Sequence, residues 1–350
     1  DDVLLDQAAP VSSVGTAGGY GPGTWPGVVS GGATDATSGV AGVVVSIVRQ
    51  LDGNAEAAWD GVGWAVGSAP VWLPAQLAGA GWSVPLPAEA LDDGRRYAAA
   101  ARATDHAGNE EAAGSASAFI FDSTVPAGGF TIGAGNPLYV NATSVVLHSA
   151  VSAGDHDLEM RFRNDGEGFP AVWAPYAATY AWVLPGGAGP KTVHGEFRDL
   201  SSGNVLSTLD QVTLDQQAPS AALALGASTY GPLSWPGAVS GAVADDGPAG
   251  VARVEVSLLR QATHYWNGAA WQAGAFWVAV EAVGGAWVLP LAAADLAGGT
   301  SYLVRCRAVD RAGNEQAQPD EAGFTFDAEA PTGSFSIGAG QPAATGSRSV

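Results

Sequence analysis

Short runs in which apolar residues take every second position dominate the chain. Val43, Val45 and Ile47 alternate with less constrained neighbours, and Val254, Val256 and Leu258 alternate with Arg253, Glu255 and Ser257. A period of two puts one side of an extended chain into a core and the other towards solvent, so both runs read as half-buried strands. Tyr302, Val304, Cys306 and Ala308 share a face in the same way, which makes Cys306 a core thiol. Trp266-Asn-Gly-Ala-Ala-Trp271 sets Asn-Gly between strand-like flanks and predicts a tight hairpin whose central residues take positive φ; Trp59-Asp-Gly-Val-Gly-Trp64 is its counterpart. About seven strands per hundred-odd residues is the count of a two-sheet sandwich.

The same stretches recur. Asp6-Gln-Ala-Ala-Pro10 returns as Asp215-Gln-Gln-Ala-Pro219, Tyr20-Gly-Pro-Gly-Thr-Trp-Pro-Gly27 as Tyr230-Gly-Pro-Leu-Ser-Trp-Pro-Gly237, and Ala103-Thr-Asp-His-Ala-Gly-Asn-Glu110 as Ala308-Val-Asp-Arg-Ala-Gly-Asn-Glu315. Residues 6–125 and 215–330 are therefore two copies of one module, A, and 126–214 form a different module, B. The opening of B, Gly129-Phe-Thr-Ile-Gly-Ala-Gly-Asn-Pro137, returns as Ser334-Phe-Ser-Ile-Gly-Ala-Gly-Gln-Pro342, so 331–350 read as the start of a second B, and 1–5 as the end of a preceding module. Each module begins after Asp-x-x-(Ala/Val)-Pro, at Asp6, Asp122, Asp215 and Asp327. The proline removes an amide donor and fixes φ, which ends strand pairing and leaves a short, stiff linker.

Composition narrows the class. Apolar residues make up 47% and charged residues 14%, enough for cores and too few charges for a disordered polyampholyte. The 34 acids against 14 bases, a formal charge of -20, repel phosphate backbones and anionic membranes and make cations welcome. Nucleic acid is excluded as a partner, and no apolar run is long enough for a membrane span. The single cysteine rules out an internal disulfide framework or a CxxC-type zinc site. No G-x-S-x-G elbow, HExxH pair or phosphate-cradling glycine loop is present, and His106, His148, His156, His194 and His264 read as scattered solvated residues.

Module A resembles the bacterial immunoglobulin-like repeats of large secreted or cell-surface proteins, through a penultimate strand ending at Ala103–Asn109 and a last strand ending at Phe119–Pro126. Module B is similar to a second repeat of secreted microbial proteins, through Met160-Arg-Phe-Arg-Asn-Asp-Gly166, Trp182-Val-Leu-Pro185 and Phe197-Arg-Asp-Leu-Ser-Ser-Gly-Asn204. The resemblance implies an all-β fold of tandem immunoglobulin-like or fibronectin-III-like β-sandwiches in an elongated array. It implies no enzyme and no chemistry of its own, but a structural spacer, an adhesin stalk or a surface filament outside the cell. The partners implied are neighbouring repeats of the same chain and, by self-association through repeated edge strands, a fibre or sheath. The rival readings are an adhesin that grips a surface glycan or protein and the accessory region of a secreted hydrolase.

Acids and amides gather at one pole of each expected sandwich. In that topology Asp6 approaches Asp35, Asp105 and Asn109; Asp122 approaches Asp155, Asp157, Asp199 and Asn204; Asp215 approaches Asp245, Asp246, Asp310 and Asn314. Several carboxylates and an amide carbonyl from three segments are the ligand class of calcium, which takes about six to eight oxygens. The simpler reading, and the favoured one, is a turn in which Asp caps backbone amides and Gly or Asn takes the left-handed position; no cofactor is then needed. Module B is one residue longer here, at Asp199-Leu-Ser-Ser-Gly-Asn204. Twelve tryptophans offer platforms for sugars; Trp82, Trp287, Trp25 and Trp235 recur at matched positions as core anchors, which leaves Trp266 and Trp271 as the exposed candidate pair.

Overall fold

The computed structural model describes residues 5–51, 53–67, 69–112, 114–154 and 156–334. Most of what the sequence assigns to a preceding module, and most of the second B module, lie outside these residues. The chain gathers into two compact units: one holds the chain up to Pro137 with Ser144–Pro185 and Lys191–Val212, the other Leu138–Thr143, Gly186–Pro190 and the chain from Thr213 on. Among the described residues regular structure is strand, apart from two single-turn 3₁₀ segments at Ala88–Ala90 and Ala293–Asp295. Among the described residues no helix is long and apolar enough to cross a membrane.

In the first unit, Val11–Val14, Val28–Thr34, Gly81–Pro85 and Gln76–Ala78 form one sheet in that order. Against it stands a sheet ordered Gly18–Tyr20, Ser115–Phe121, Arg95–Asp105, Val40–Leu51, Asn54–Trp59, Trp64–Val66. The first of these runs parallel to Ser115–Phe121, so the chain leaves one sheet at Val14 and joins the other at Gly18. Two sheets with this order, antiparallel but for that one parallel pair and with the opening strand switching between them, make an immunoglobulin-like sandwich. The second unit repeats it: Ser220–Leu223, Ala238–Ala244, Ala286–Pro290, Ala282–Val283 in one sheet, and Thr229–Tyr230, Asp320–Phe326, Thr300–Asp310, Val251–Arg260, His264–Trp266, Trp271–Ala273 in the other. The first unit also carries a three-stranded sheet, Ala127–Ile132, Ser144–Ser152 and Thr179–Val183, and a ladder of Leu158–Asn164 with Gly189–Asp199 and Ala174–Pro175.

The alternation does what the pattern predicts. Val43, Val45 and Ile47 are buried, as are Val254, Val256 and Leu258. The cores match to a few tenths of an ångström: Trp25 stacks on Phe119 with centroids 4.9 Å apart and Tyr97 on Phe119 at 5.1 Å, while Trp235 stacks on Phe324 at 4.9 Å and Tyr302 on Phe324 at 5.0 Å. The Tyr97 hydroxyl accepts the Asp92 amide at 2.7 Å and the Tyr302 hydroxyl the Ala297 amide at 2.7 Å, the tyrosine corner of this fold. Cys306 is fully buried, and burial pushes its thiol up to about 12, so it stays protonated and inert.

Two expectations need correction. The strand count per A module exceeds seven, because the connection between Val40–Leu51 and Gly81–Pro85 folds into further short ribbons. The Trp266–Trp271 hairpin is not a two-residue turn with both central φ positive. It is a four-residue loop in which Asn267 Oδ1 accepts the amides of Ala269 and Ala270, so only Gly268 takes positive φ, 99°.

Gly31 and Gly241 are where small size is indispensable. A Cβ on Gly31 would sit 1.9 Å from the Ser13 carbonyl and 2.4 Å from the Trp82 ring, and on Gly241 1.9 Å from the Ala222 carbonyl and 2.7 Å from Trp287. Gly31→Ala and Gly241→Ala are each expected to cost at least about 1–3 kcal/mol by overpacking, read as a lower denaturant midpoint. Gly23→Ala, where nothing lies within 4 Å, serves as the neutral control.

Candidate functional site

Turns at one end of each sandwich bring together side chains from three segments. In the first, Asp6, Asp35 and Asp105 offer carboxylate oxygens within 4.8 Å of one another. Asp105 Oδ1 accepts the amides of Ala107 at 2.9 Å and Asn109 at 2.8 Å, and Oδ2 accepts Asn109 Nδ2 at 2.7 Å. Asn109 Nδ2 also donates to the carbonyls of Asp6 and Ala8, both at 3.2 Å. Asp6 Oδ2 accepts the Ser38 amide at 3.0 Å, and Asp35 Oδ1 accepts three amides, from Thr37, Ser38 and Gly39. The linker is thus tied to the turn through its carbonyls and to the Asp35–Gly39 loop through its carboxylate.

Asp215, Asp245 and Asp310 repeat the arrangement, again within 4.8 Å. Asp310 accepts the Asn314 amide at 2.8 Å and its Nδ2 at 2.7 Å, and Asn314 Nδ2 donates to the Asp215 carbonyl at 2.9 Å. Asp215 is fully buried, its two oxygens accepting the amides of Gln217 and Ala249. A Cβ on Gly247 would lie 2.4 Å from both of those oxygens, so glycine is what lets the loop close over the carboxylate. Asp245 Oδ1 accepts the Gly247 amide, whereas its Oδ2 is buried with no hydrogen-bond partner. Burial, and then repulsion from Asp215, Asp310 and Asp246, hold the Asp245 carboxyl above the ordinary value despite the Gly247 amide.

The remaining trio is chemically different. Asp122, His156 and Asp199 meet, with His156 Nδ1 at 2.9 Å from Asp199 Oδ2, 3.6 Å from Asp122 Oδ2 and 3.0 Å from Ser201 Oγ. Asp155, which the sequence places here, lies outside the described residues, and His156 is no merely solvated histidine. Asp157 contributes its backbone carbonyl, to the Leu200 amide, and its side chain and that of Asp246 are exposed and outside the trios. The longer turn closes as the shorter ones do: the Asp199 amide donates to the Asn204 carbonyl at 2.9 Å, as Asp105 does to Asn109 at 3.1 Å. Asn204 Nδ2 donates to the carbonyls of Asp122 and Thr124, both at 2.8 Å, and Thr24 Oγ1 donates to the Ser202 carbonyl at 2.8 Å.

Burial alone would raise the Asp105 and Asp199 carboxyls, but the hydrogen bonds from Asn109 to one and from His156 and Ser201 to the other hold both below the ordinary value. A histidine beside the acids could not be read from spacing. The available signal was the extra residue in the module B turn, which marks that pole as built differently.

Trp266 and Trp271 are less exposed than a hairpin tip leads one to expect. Trp266 is 4% exposed, and Trp271 is half-buried, with its indole N–H donating to the Asp295 carbonyl at 2.8 Å and the Arg260 guanidinium 4.8 Å over its ring. The pair packs into the core because the hairpin folds back over Tyr302, 5.4 Å from Trp271.

No family model matches the chain, and no curated protein matches it. Among solved structures, the chain is similar to a tetra-tandem repeat in the extending region of a large adhesion protein, at 18% identity over 92% of this chain and 74% of that one, with a TM-score of 0.32. It is similar to a Ca2+-stabilized adhesin with which an Antarctic bacterium binds ice, at 17% identity, 92% and 75% coverage and a TM-score of 0.31. It is also similar to three N-terminal domains of the outer capsid protein Hoc of bacteriophage RB49, at 12% identity, 92% and 100% coverage and a TM-score of 0.36. At these identities and scores nothing about ligand or partner passes from those proteins to this one.

Asn204→Ala, which leaves two linker carbonyls without their donor, is expected to cost about 1–3 kcal/mol and to speed protease cleavage at Ser123–Val125. Because Asp105 and Asp199 are held below the ordinary carboxylate value, their contribution to stability is complete above about pH 4 and is lost as pH falls through the lower folded-state values. Denaturant midpoints measured down to pH 2 should fall below about pH 4, and Asp199→Asn should make that acid fall shallower.

Proposed function

We propose that this chain is a load-bearing spacer, part of the stalk or filament of a large repetitive extracellular protein, with no chemistry of its own. The observation that supports this most directly is the fastening of linker carbonyls by Asn109, Asn204 and Asn314, one amide side chain at each of three module starts. A repeat that rebuilds its core and its linker anchor while its surface varies is suited to transmitting force. The charge of -20 keeps such an alanine-rich polymer soluble. With Trp266 buried and Trp271 half-buried, the hairpin pair lends glycan binding little support.

Pulling single molecules by their ends tests the reading. The A modules and the B region should unfold in separate events, each releasing about 30–40 nm, since a hundred-odd residues extend by about 3.3–3.6 Å each. One cooperative event for the whole chain would overturn the spacer of independent modules.

A second reading rests on Asp245, whose buried Oδ2 has no donor. We infer that the all-carboxylate trios at Asp6 and Asp215 take a divalent cation of calcium's class, with Asp35, Asp105, Asp245 and Asp310 as further ligands. Without a cation, the raised Asp245 carboxyl favours the folded state only when protonated, an advantage lost as pH rises through its folded-state value. Asp245→Asn should therefore raise the neutral-pH melting temperature in chelator and lower it, relative to the parent, in calcium. A parent midpoint that calcium does not move would sink this reading and leave the trios as turn caps.

A further inference from the structure

The two A modules share a core but not an outer face. Register pairs Arg305 with Glu321 and Ser257, and Arg307 with Glu255, on the solvent side of the larger sheet. Ion pairs cover that side: Arg305 to Glu321 at 2.9 Å, and Arg307 to Glu255 at 2.7 Å and Glu315 at 3.1 Å. In the first module the matching positions are Ala100 opposite Ala116 and Ser46, and Arg102 opposite Val44. The fold therefore does not require an apolar surface here.

What results is a groove of about 280 Å³ lined by Ala98, Ala100 and Ala116 together with Trp72. Ser46 also lines it, 3% exposed, its hydroxyl without any hydrogen-bond partner. Arg102 lies 4.5 Å over the Trp72 ring, as Arg307 lies 4.8 Å over Trp277. Glu110, the counterpart of Glu315, is bridged to Thr104 two residues beyond Arg102 and so stands on the same face. Among the described residues neither Arg102 nor Glu110 has an ion-pair partner.

We propose that this face docks a second copy of this chain, first module to first module across a two-fold axis. An isologous contact places each group opposite its complement: the Trp72 ridge of one copy enters the alanine trough of the other, and Arg102 of each takes Glu110 of its partner. On a chain of charge -20 two copies otherwise repel, and this face, carrying one open guanidinium and one open carboxylate, is where attraction is self-complementary. Each surface ion pair contributes at most about 1 kcal/mol, so the association is weak and concentration-dependent. It rests on the outer face alone, so it and the spacer reading fail separately.

Sedimentation velocity over a concentration series tests it. The parent chain should show a monomer–dimer equilibrium that the double substitution A100R/A116E, which installs the second module's own ion pair, weakens at least tenfold while leaving the melting temperature intact. Arg102→Glu and Glu110→Arg should each weaken dimerisation, and mixing the two variants should restore it as a heterodimer. A parent chain that stays monomeric at every concentration, a double variant that dimerises like the parent, or a mixture that remains dissociated would each overturn the proposal.

Discussion

A chain that leaves a β-sheet carries carbonyl groups that have lost their ladder partners, and they must find donors elsewhere or stay open to water. Here the donor is the same at the three module starts that the described residues cover, Asp6, Asp122 and Asp215. A carboxylate on the last residue of a strand binds the amides of its own turn, which orients the asparagine that closes that turn, and the asparagine's Nδ2 reaches the linker. Asp105, Asp199 and Asp310 are therefore buried polar groups with their partners built in, and a turn that looks like a local feature also fixes where the preceding linker runs. The prolines at 10, 126 and 219 complete this by removing amides that would otherwise compete.

The interior and the surface of module A have been held to different standards. Ring centroids in the aromatic stack agree within about a tenth of an ångström between copies, because packing at interior density tolerates little change in volume. Outside, Val44 has become Glu255, Ala100 Arg305 and Ala116 Glu321 with no shift in strand register. A solvent-facing strand position constrains charge weakly, so two surfaces of unlike chemistry sit on one scaffold.

Much of this was legible in the sequence because period-two alternation, Asp-x-Ala-Gly-Asn and the recurring Trp-Pro-Gly each have one dominant physical meaning. Val43, Val45 and Ile47 could only be an inward face, and Trp82 and Trp287, at matched positions, could only be anchors. Less legible were features decided by side-chain direction within loops. Trp266 and Trp271 flank a hairpin tip, where exposure is the natural expectation, yet the ribbon curls back on Tyr302, burying Trp266 and half-burying Trp271. His156 neighbours Asp157 in sequence, and only the loop's path decides which of them turns towards Asp199. Local spacing says which residues are near; it does not say which way a bend aims them.

That last distinction separates the module starts into two kinds. At Asp122 an imidazole stands between two carboxylates, donates to one and, when protonated, offsets their repulsion from within the chain. At Asp6 and Asp215 no basic side chain among the described residues forms an ion pair with the trio, so three carboxyl groups face one another with only neutral donors, amides and at Asp35 the Ser38 hydroxyl, to moderate them. Amides supply partial charge, and Asp245, with one oxygen beyond their reach, is where the repulsion is left over. One backbone device, a capped turn holding a linker, thus stands beside either a self-neutralised pole or a pole with unspent negative charge, and the alternation of the two modules along the chain alternates these poles as well.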